Sequence, residues 1–314
     1  NDYLKDYKCL DKDPNAPPVP FRHLITHTTG IGEVRSLKDA LMPVVGLCAK
    51  PEDPPMPLCE YYQGLLRPEV YPGQKWAYAN HAYATLGQLV EDISGQPFGE
   101  YMVEHLFTPL GMHKSDYFLT ERVRSDLASA YEFKKGRYEP VKFLRIEVPG
   151  AGSIFSTVND MAKYVEALMN RGANRHGHYV KPETFDVMVT PQLDLDPRLN
   201  MNIGLYFALT QFENHRIIWH NGGWPGFSSS MWVAPDDKLG IVVFTNTSSG
   251  APDMISMKVL REMLDVPEPI STVPVKGVLE NPHDWRRLCG FYAPKPGILD
   301  RKSTRLNSSH RIRS

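Results

Sequence analysis

Two short stretches carry the residues whose types and spacing could do chemistry, Tyr78-Ala79-Asn80 and His220-Asn221-Gly222-Gly223. A phenol two residues from a carboxamide places a proton-transfer group beside a side chain that both donates and accepts hydrogen bonds. A histidine before Asn-Gly-Gly puts a titratable ring next to main chain that a ligand can approach without meeting a Cβ. Acyl transfer by a serine needs further parts, namely a nucleophile, a base for its proton and two main-chain donors for the oxyanion. No serine in the 314 residues is followed three positions later by lysine, the pairing that would put nucleophile and cation one helical turn apart.

The elements that must position these residues are legible from apolar spacing and turn chemistry. Phe21 to Gly32 reads as a short helix breaking into a loop at Thr-Thr-Gly-Ile-Gly. From Asn80 to Ile93, Tyr83, Leu86, Leu89, Val90 and Ile93 recur at helical spacing, and Gly95 follows as a stop. Tyr78 and Asn80 therefore belong to the entrance of an amphipathic helix. Tyr101 to Leu110 predicts another helix ending at Pro109-Leu110-Gly111-Met112, so the middle of the chain is expected to be mainly helical.

Beyond Gly150 the character changes. Met161, Tyr164, Val165, Leu168 and Met169 share one helical face, and Gly172 ends that helix. Arg216 to His220, Ser228 to Val233 and Leu239 to Thr245 read as strands, the last two joined around Pro235-Asp236-Asp237. The expected architecture is an α/β (α+β) fold, an antiparallel sheet flanked by helices, with the helix Asp253 to Leu264 on one face, beside a helical subdomain over about residues 21 to 150. Pro-rich sequence at residues 265 to 284 predicts a linker, and residues 285 to 299 the start of a further module.

The last stretch, Asp300 to Ser314, is basic and Ser-rich, which invites a nucleic-acid arm. One permitted back-translation of Asp300 to His310 resembles a common sequencing-library adapter, so the tail is set aside as an assembly artefact. Without its five basic residues and one acid, 30 Lys and Arg stand against 35 Asp and Glu, a net charge of −5 in place of −1. Such a chain gives no sign of binding nucleic acid. Its longest apolar runs fall short of the roughly 18 residues a membrane span needs. The four cysteines have no metal-ligand spacing and read as buried or incidental thiols, with a Cys48 to Cys59 disulfide open in an exported protein.

Six segments in order resemble the class C β-lactamase-like family of serine hydrolases, which includes penicillin-binding carboxypeptidases, D-aminopeptidases and esterases. They are His23 to Gly30, Pro72-Gly73 before Tyr78-Ala79-Asn80, Pro109 to Met112, Gly152 to Asp160, His220 to Gly223, and Phe244-Thr245-Asn246. The resemblance covers about residues 1 to 264. It implies hydrolysis or transfer of an ester, peptide or amide acyl group on a small-molecule or peptide substrate, without a cofactor, in a protein exported to the periplasm or beyond. It also implies catalytic roles for Tyr78 as base, Asn80 in positioning substrate, His220 in shaping the far wall and Gly223 as an oxyanion donor, with Asn221 and Gly222 along the substrate. A histidine where the family often has lysine weakens the case for a substrate with a free carboxylate.

In the family Ser-x-x-Lys precedes the segment matching Leu24 to Thr28, so the expectation is a piece whose nucleophile helix lies upstream. As it stands the chain should be inactive, with an exposed sheet edge and a tendency to aggregate. Two rival readings stand beside this one. A binding or regulatory homologue would keep the fold without catalysis, and the upstream motif discriminates. A zinc hydrolase is suggested by His23 and His27 four residues apart, but the glutamate expected directly after the first histidine is Leu24.

Overall fold

The computed structural model describes residues 2–10, 13, 15–34, 36–195 and 201–268. Short strands and helices alternate in the first half because prolines and glycines interrupt each run. Strand β1 (Lys8–Cys9) lies parallel to β3 (Leu65–Leu66), while β2 (Cys48–Ala49) is antiparallel to β6 (Arg145–Ile146). A separate hairpin joins β4 (Tyr131–Lys134) to β5 (Arg137–Pro140). The helices here are α1 (Phe21–Ile25), α2 (Leu37–Leu41), α3 (Leu58–Tyr61), α4 (Asn80–Ser94), α5 (Phe98–Met102) and α6 (Glu121–Arg124). The region expected to be helical thus also carries strand ribbons.

Helix α4 is the scaffold of this half. Ala82, Ala84 and Leu89 are buried in a cluster with Tyr7, Leu24, Ile31 and Tyr62, and the Tyr83 hydroxyl donates to the Ile25 carbonyl at 2.6 Å, tying α4 to α1. Gly95 takes the left-handed conformation, φ 74°, that lets the chain leave the helix. The expected helix Tyr101 to Leu110 is not a continuous α-helix. After α5 the chain widens into a π-helical turn, Val103–Phe107, before Leu110 and Met112 plunge into the core. Cys59 is a free thiol, so no disulfide joins it to Cys48.

In the second half α7 (Val158–Met169) starts at Thr157, whose side chain accepts from the Asp160 N–H. After α8 (Pro182–Met188) comes a six-stranded antiparallel sheet of β7 (Leu193–Asp194), β8 (Met201–Ile203), β9 (Ala208–Phe212), β10 (His215–Trp224), β11 (Phe227–Ala234) and β12 (Leu239–Thr245), in chain order across the sheet. The three predicted strands are its β10, β11 and β12. The other three escape the sequence pattern because β7 and β8 are two and three residues long and β9 carries Thr and Gln.

Alternation along β11 covers both faces. Met231 and Val233 join Val165, Leu168, Phe207 and Ile218 against α7. Trp232 and Ala234 join Ile217, Leu260 and Leu264 against α9 (Ala251–Met263). Helices therefore pack on both faces, as expected of a sheet flanked by helices. No described helix is long and apolar enough to cross a membrane. The expected linker beyond residue 268, the further module and the adapter-like tail lie outside the described residues.

Candidate active site

Tyr78 stands in the loop before α4 and Asn80 is the first residue of that helix. His220 to Gly223 were expected at the end of a strand, but β10 continues through them to Trp224 because each pairs with β11, from His220 opposite Met231 to Gly223 opposite Ser228. Pairing across the strand outweighs the poor strand propensity of Asn and Gly.

On its other side β10 pairs with β9 only from His215 to Trp219. Among the described residues, no strand pairs with the half from His220 onward along that edge. A two-residue turn, Pro225-Gly226, closes the hairpin between Trp224 and Phe227, which sends the main-chain groups of even-numbered residues toward β11. Those of Asn221 and Gly223 face the open edge. The Gly223 N–H is thus available to a ligand lying alongside, the geometry that an oxyanion donor or an added strand requires.

Side chains on the strand divide between two faces. His220 lies on the face of Tyr206 and the helical half. Asn221 lies on the opposite face, where its Nδ2 donates to the Asp253 carboxylate at 2.7 Å while Ser230 donates to the other oxygen. Any contact of Asn221 with a ligand on the His220 face would come from its main chain. A Cβ at Gly222 would meet Ser229 Oγ at 2.6 Å, and one at Gly223 would meet nothing within 4 Å.

A row of rings joins the two motifs. Tyr78 lies on His27 with centroids 4.2 Å apart, His27 on Tyr83 at 4.9 Å, Tyr83 near Tyr206 at 6.0 Å, and Tyr206 on His220 at 5.0 Å and 4° from parallel. This row is the wall between the helical half and the sheet. Of its members the sequence singled out Tyr78 and His220 as site residues, with His27 considered only as a zinc ligand.

Burial presses His27, His220, Tyr78 and Glu33 toward their neutral forms. His27 is buried, and that burial, with His220 nearby, lowers its pKa to about 4. Its Nδ1 accepts from the Ala79 N–H at 3.1 Å, so the proton sits on Nε2. Burial also lowers His220 below the usual histidine range. The phenol of Tyr78 is raised above its ordinary value, first by burial and then by the Glu33 carboxylate. Glu33 grips Asn80 through the main-chain N–H at 2.8 Å and through Nδ2 at 2.5 Å. Nothing in the sequence pattern marks Glu33 or Tyr206.

His23 and His27 do not share a helical face. Helix α1 ends at Ile25, His27 has a left-handed φ of 58°, and His23 Nδ1 is engaged by Thr28 Oγ1 at 2.7 Å. Two rings facing different partners do not make the paired ligands that the spacing suggested.

The chain thus combines helices with an antiparallel sheet, and a row of rings links that sheet to the entrance of α4. The family model "Beta-lactamase" matches residues 1–262, and the chain belongs to that family. It is 29% identical over 272 residues to the unguisins hydrolase ungD' of Aspergillus campestris, covering 79% of this chain and 46% of that protein. Its fold superposes on the octameric penicillin-binding protein homologue from Pyrococcus abyssi with a TM-score of 0.70 and 26% identity, covering 84% of this chain and 59% of that one. A β-lactamase/D-alanine carboxypeptidase from Pseudomonas syringae shares the fold at a TM-score of 0.62 and 20% identity, covering 86% and 76%. The chain spans about half the length of the curated relatives it matches.

Proposed function

We propose that this chain carries the substrate cleft of a serine hydrolase that forms an acyl-enzyme from an ester, peptide or amide. The observation that carries the reading is Tyr78 and Asn80 set across an aromatic wall from an open strand edge bearing the Gly223 N–H. Tyr78 takes the nucleophile's proton, Asn80 orients the scissile group, His220 forms the far wall and Gly223 donates to the oxyanion. The raised phenol means that Tyr78 works as a base only beside a cation, the part a Ser-x-x-Lys lysine supplies. These 314 residues hold no such motif, so the chain alone gives no acyl turnover. Resemblance to penicillin-binding proteins and β-lactamases favours a periplasmic or extracellular setting.

A non-catalytic binding homologue is the second reading, favoured by that same missing motif. Sequencing the source DNA upstream of the Asn1 codon separates the two. A Ser-x-x-Lys in frame leads to an assay of p-nitrophenyl acetate hydrolysis by the longer protein, in which Tyr78→Phe lowers kcat by roughly 100-fold or more with little change in KM. An upstream frame without the motif, or a Tyr78→Phe variant of full activity, removes the hydrolase reading.

A further inference from the structure

A base must hold its proton-accepting atom in place, yet Tyr78 stands in a loop with 43% of its surface exposed. Its hydroxyl has no hydrogen-bond partner among the described residues, so nothing at the tip of the ring fixes where the oxygen points. The hold comes from one residue, His27, which grips the chain on both sides of Tyr78. The His27 carbonyl accepts from the Ala77 N–H at 2.9 Å, and its Nδ1 accepts from the Ala79 N–H at 3.1 Å. Its imidazole lies 4.2 Å from the phenol ring and 31° from parallel. His27 does this at a left-handed φ of 58°, a conformation that costs a residue with a Cβ and persists where the surroundings impose it.

Neighbouring main chain supplies the platform. The Thr28 carbonyl accepts from the Gly73 N–H and the Gly30 carbonyl from the Glu69 N–H, both at 2.7 Å. These bonds, with that of Ala77, hold the loop to the turn without the imidazole. The ring acts at Tyr78 alone, and there two properties are needed together. Asparagine would accept from Ala79 but offer no face to the phenol, and phenylalanine would offer the face but no acceptor. A neutral imidazole has both. Burial, which lowers the His27 pKa to about 4, keeps it neutral at pH 7.

We propose that His27 is a positioning residue for Tyr78, fixing the main chain through Nδ1 and the phenol through its ring face, so that the oxygen keeps one place in the cleft. The assignment rests on the hydrolase reading for the reaction that Tyr78 serves. Its effect is on rate and not on binding. A base that wanders spends less time within reach of the nucleophile's proton, while the ligand contacts of Asn80 and Gly223 are untouched. Asn80 is held by a different residue, Glu33, so a change at His27 registers at Tyr78 and not at its neighbour.

The first test uses the chain as it is and needs no turnover. In an isotope-labelled sample at neutral pH, NMR should show a scalar coupling across the hydrogen bond between the Ala79 nitrogen and His27 Nδ1. The Tyr78 ring protons should lie upfield of those of free tyrosine, as a ring stacked on imidazole requires. His27→Asn should abolish that upfield shift and leave amide exchange at Ala79 within about threefold of wild type. His27→Phe should keep the shift and speed that exchange roughly tenfold or more. The Asn80 amide, bonded to Glu33, should be unchanged in both. The second test uses the longer protein where the upstream frame supplies Ser-x-x-Lys. There His27→Asn should lower kcat for p-nitrophenyl acetate roughly tenfold, with KM within about twofold of wild type. A proton on His27 Nδ1, a Tyr78 ring signal unmoved by His27→Asn, or a longer His27→Asn protein that keeps full kcat or loses only KM would each overturn the proposal. An upstream frame without the motif removes the hydrolase reading and leaves the NMR outcomes as they are, so the two failures are distinguishable.

Discussion

Glu33 holds Asn80 by both of its N–H groups, with carboxylate oxygens 2.8 Å from the main-chain nitrogen and 2.5 Å from Nδ2. The first helical N–H of α4 has no intrahelical partner, so a carboxylate satisfies it, and the positive end of the helix favours the charge. The second bond fixes which way the amide faces. With Nδ2 turned to Glu33, the Asn80 carbonyl oxygen is the face left for a ligand.

That arrangement has a pH signature. Burial raises the Glu33 pKa above the usual carboxylate value, the two Asn80 bonds opposing only in part. The folded state therefore binds a proton more readily than the unfolded one, and stability from this group falls as pH rises through its folded pKa. Glu33→Gln should remove that fall. The measurement is the thermal midpoint against pH for both proteins, and a parallel pair of profiles would disprove the assignment.

His27 acts in the opposite sense. Its folded pKa of about 4 lies below the ordinary 6.5, so the unfolded state binds the proton more readily and stability is lost as pH falls from about 6.5 toward 4. The span corresponds to about 3 kcal/mol for a group this deeply buried. Asparagine tolerates the left-handed φ of 58° and can still accept from the Ala79 N–H. His27→Asn should therefore fold and flatten the acid side of the profile in denaturant titrations at pH 4.5 and 7. An unchanged acid limb would show that other groups govern it.

Much of the scaffold was legible in the sequence because apolar spacing is imposed by burial, as Leu89 on α4 and Val165 and Leu168 on α7 show, while Tyr83 and Leu86 are half-buried and Ile93, read on the same face of α4, is exposed. The chemistry was legible only where it sits in short motifs. Glu33 and Tyr206 carry no local pattern. They reach the cleft through a loop 47 residues before Asn80 and a strained residue 14 before His220, and contacts of that kind exist only once the chain is folded. Asn221 shows the converse limit. Its place in the motif was clear, but strand alternation turned its side chain to Asp253 on the far face.

Two motif glycines should respond differently to alanine. At Gly30, with φ 76°, a Cβ would sit 2.0 Å from the Val70 carbonyl oxygen, and the Gly30 carbonyl itself accepts from the Glu69 N–H. Backbone on both sides leaves nothing to give. Gly30→Ala should cost more than about 2 kcal/mol, and Gly223→Ala, which meets open space, less than about 0.5 kcal/mol. Urea denaturation of both variants decides the matter, and equal losses would mean that Gly30 relaxes freely.

Among the described residues β12 has a neighbour only on its β11 side, and Leu239–Thr245 is an apolar, β-branched stretch without a charge. Unpaired main-chain groups along such a strand are a template for another copy of the chain. Phe244 adds a side chain 38% exposed at that edge. The chain should accordingly associate with rising concentration, and Phe244→Lys should oppose it by placing repelling charges where two edges would meet. Light scattering across a concentration series is the check. A wild-type chain that stays monomeric throughout would mean that the twist of β12, or sequence outside the described residues, already protects the edge.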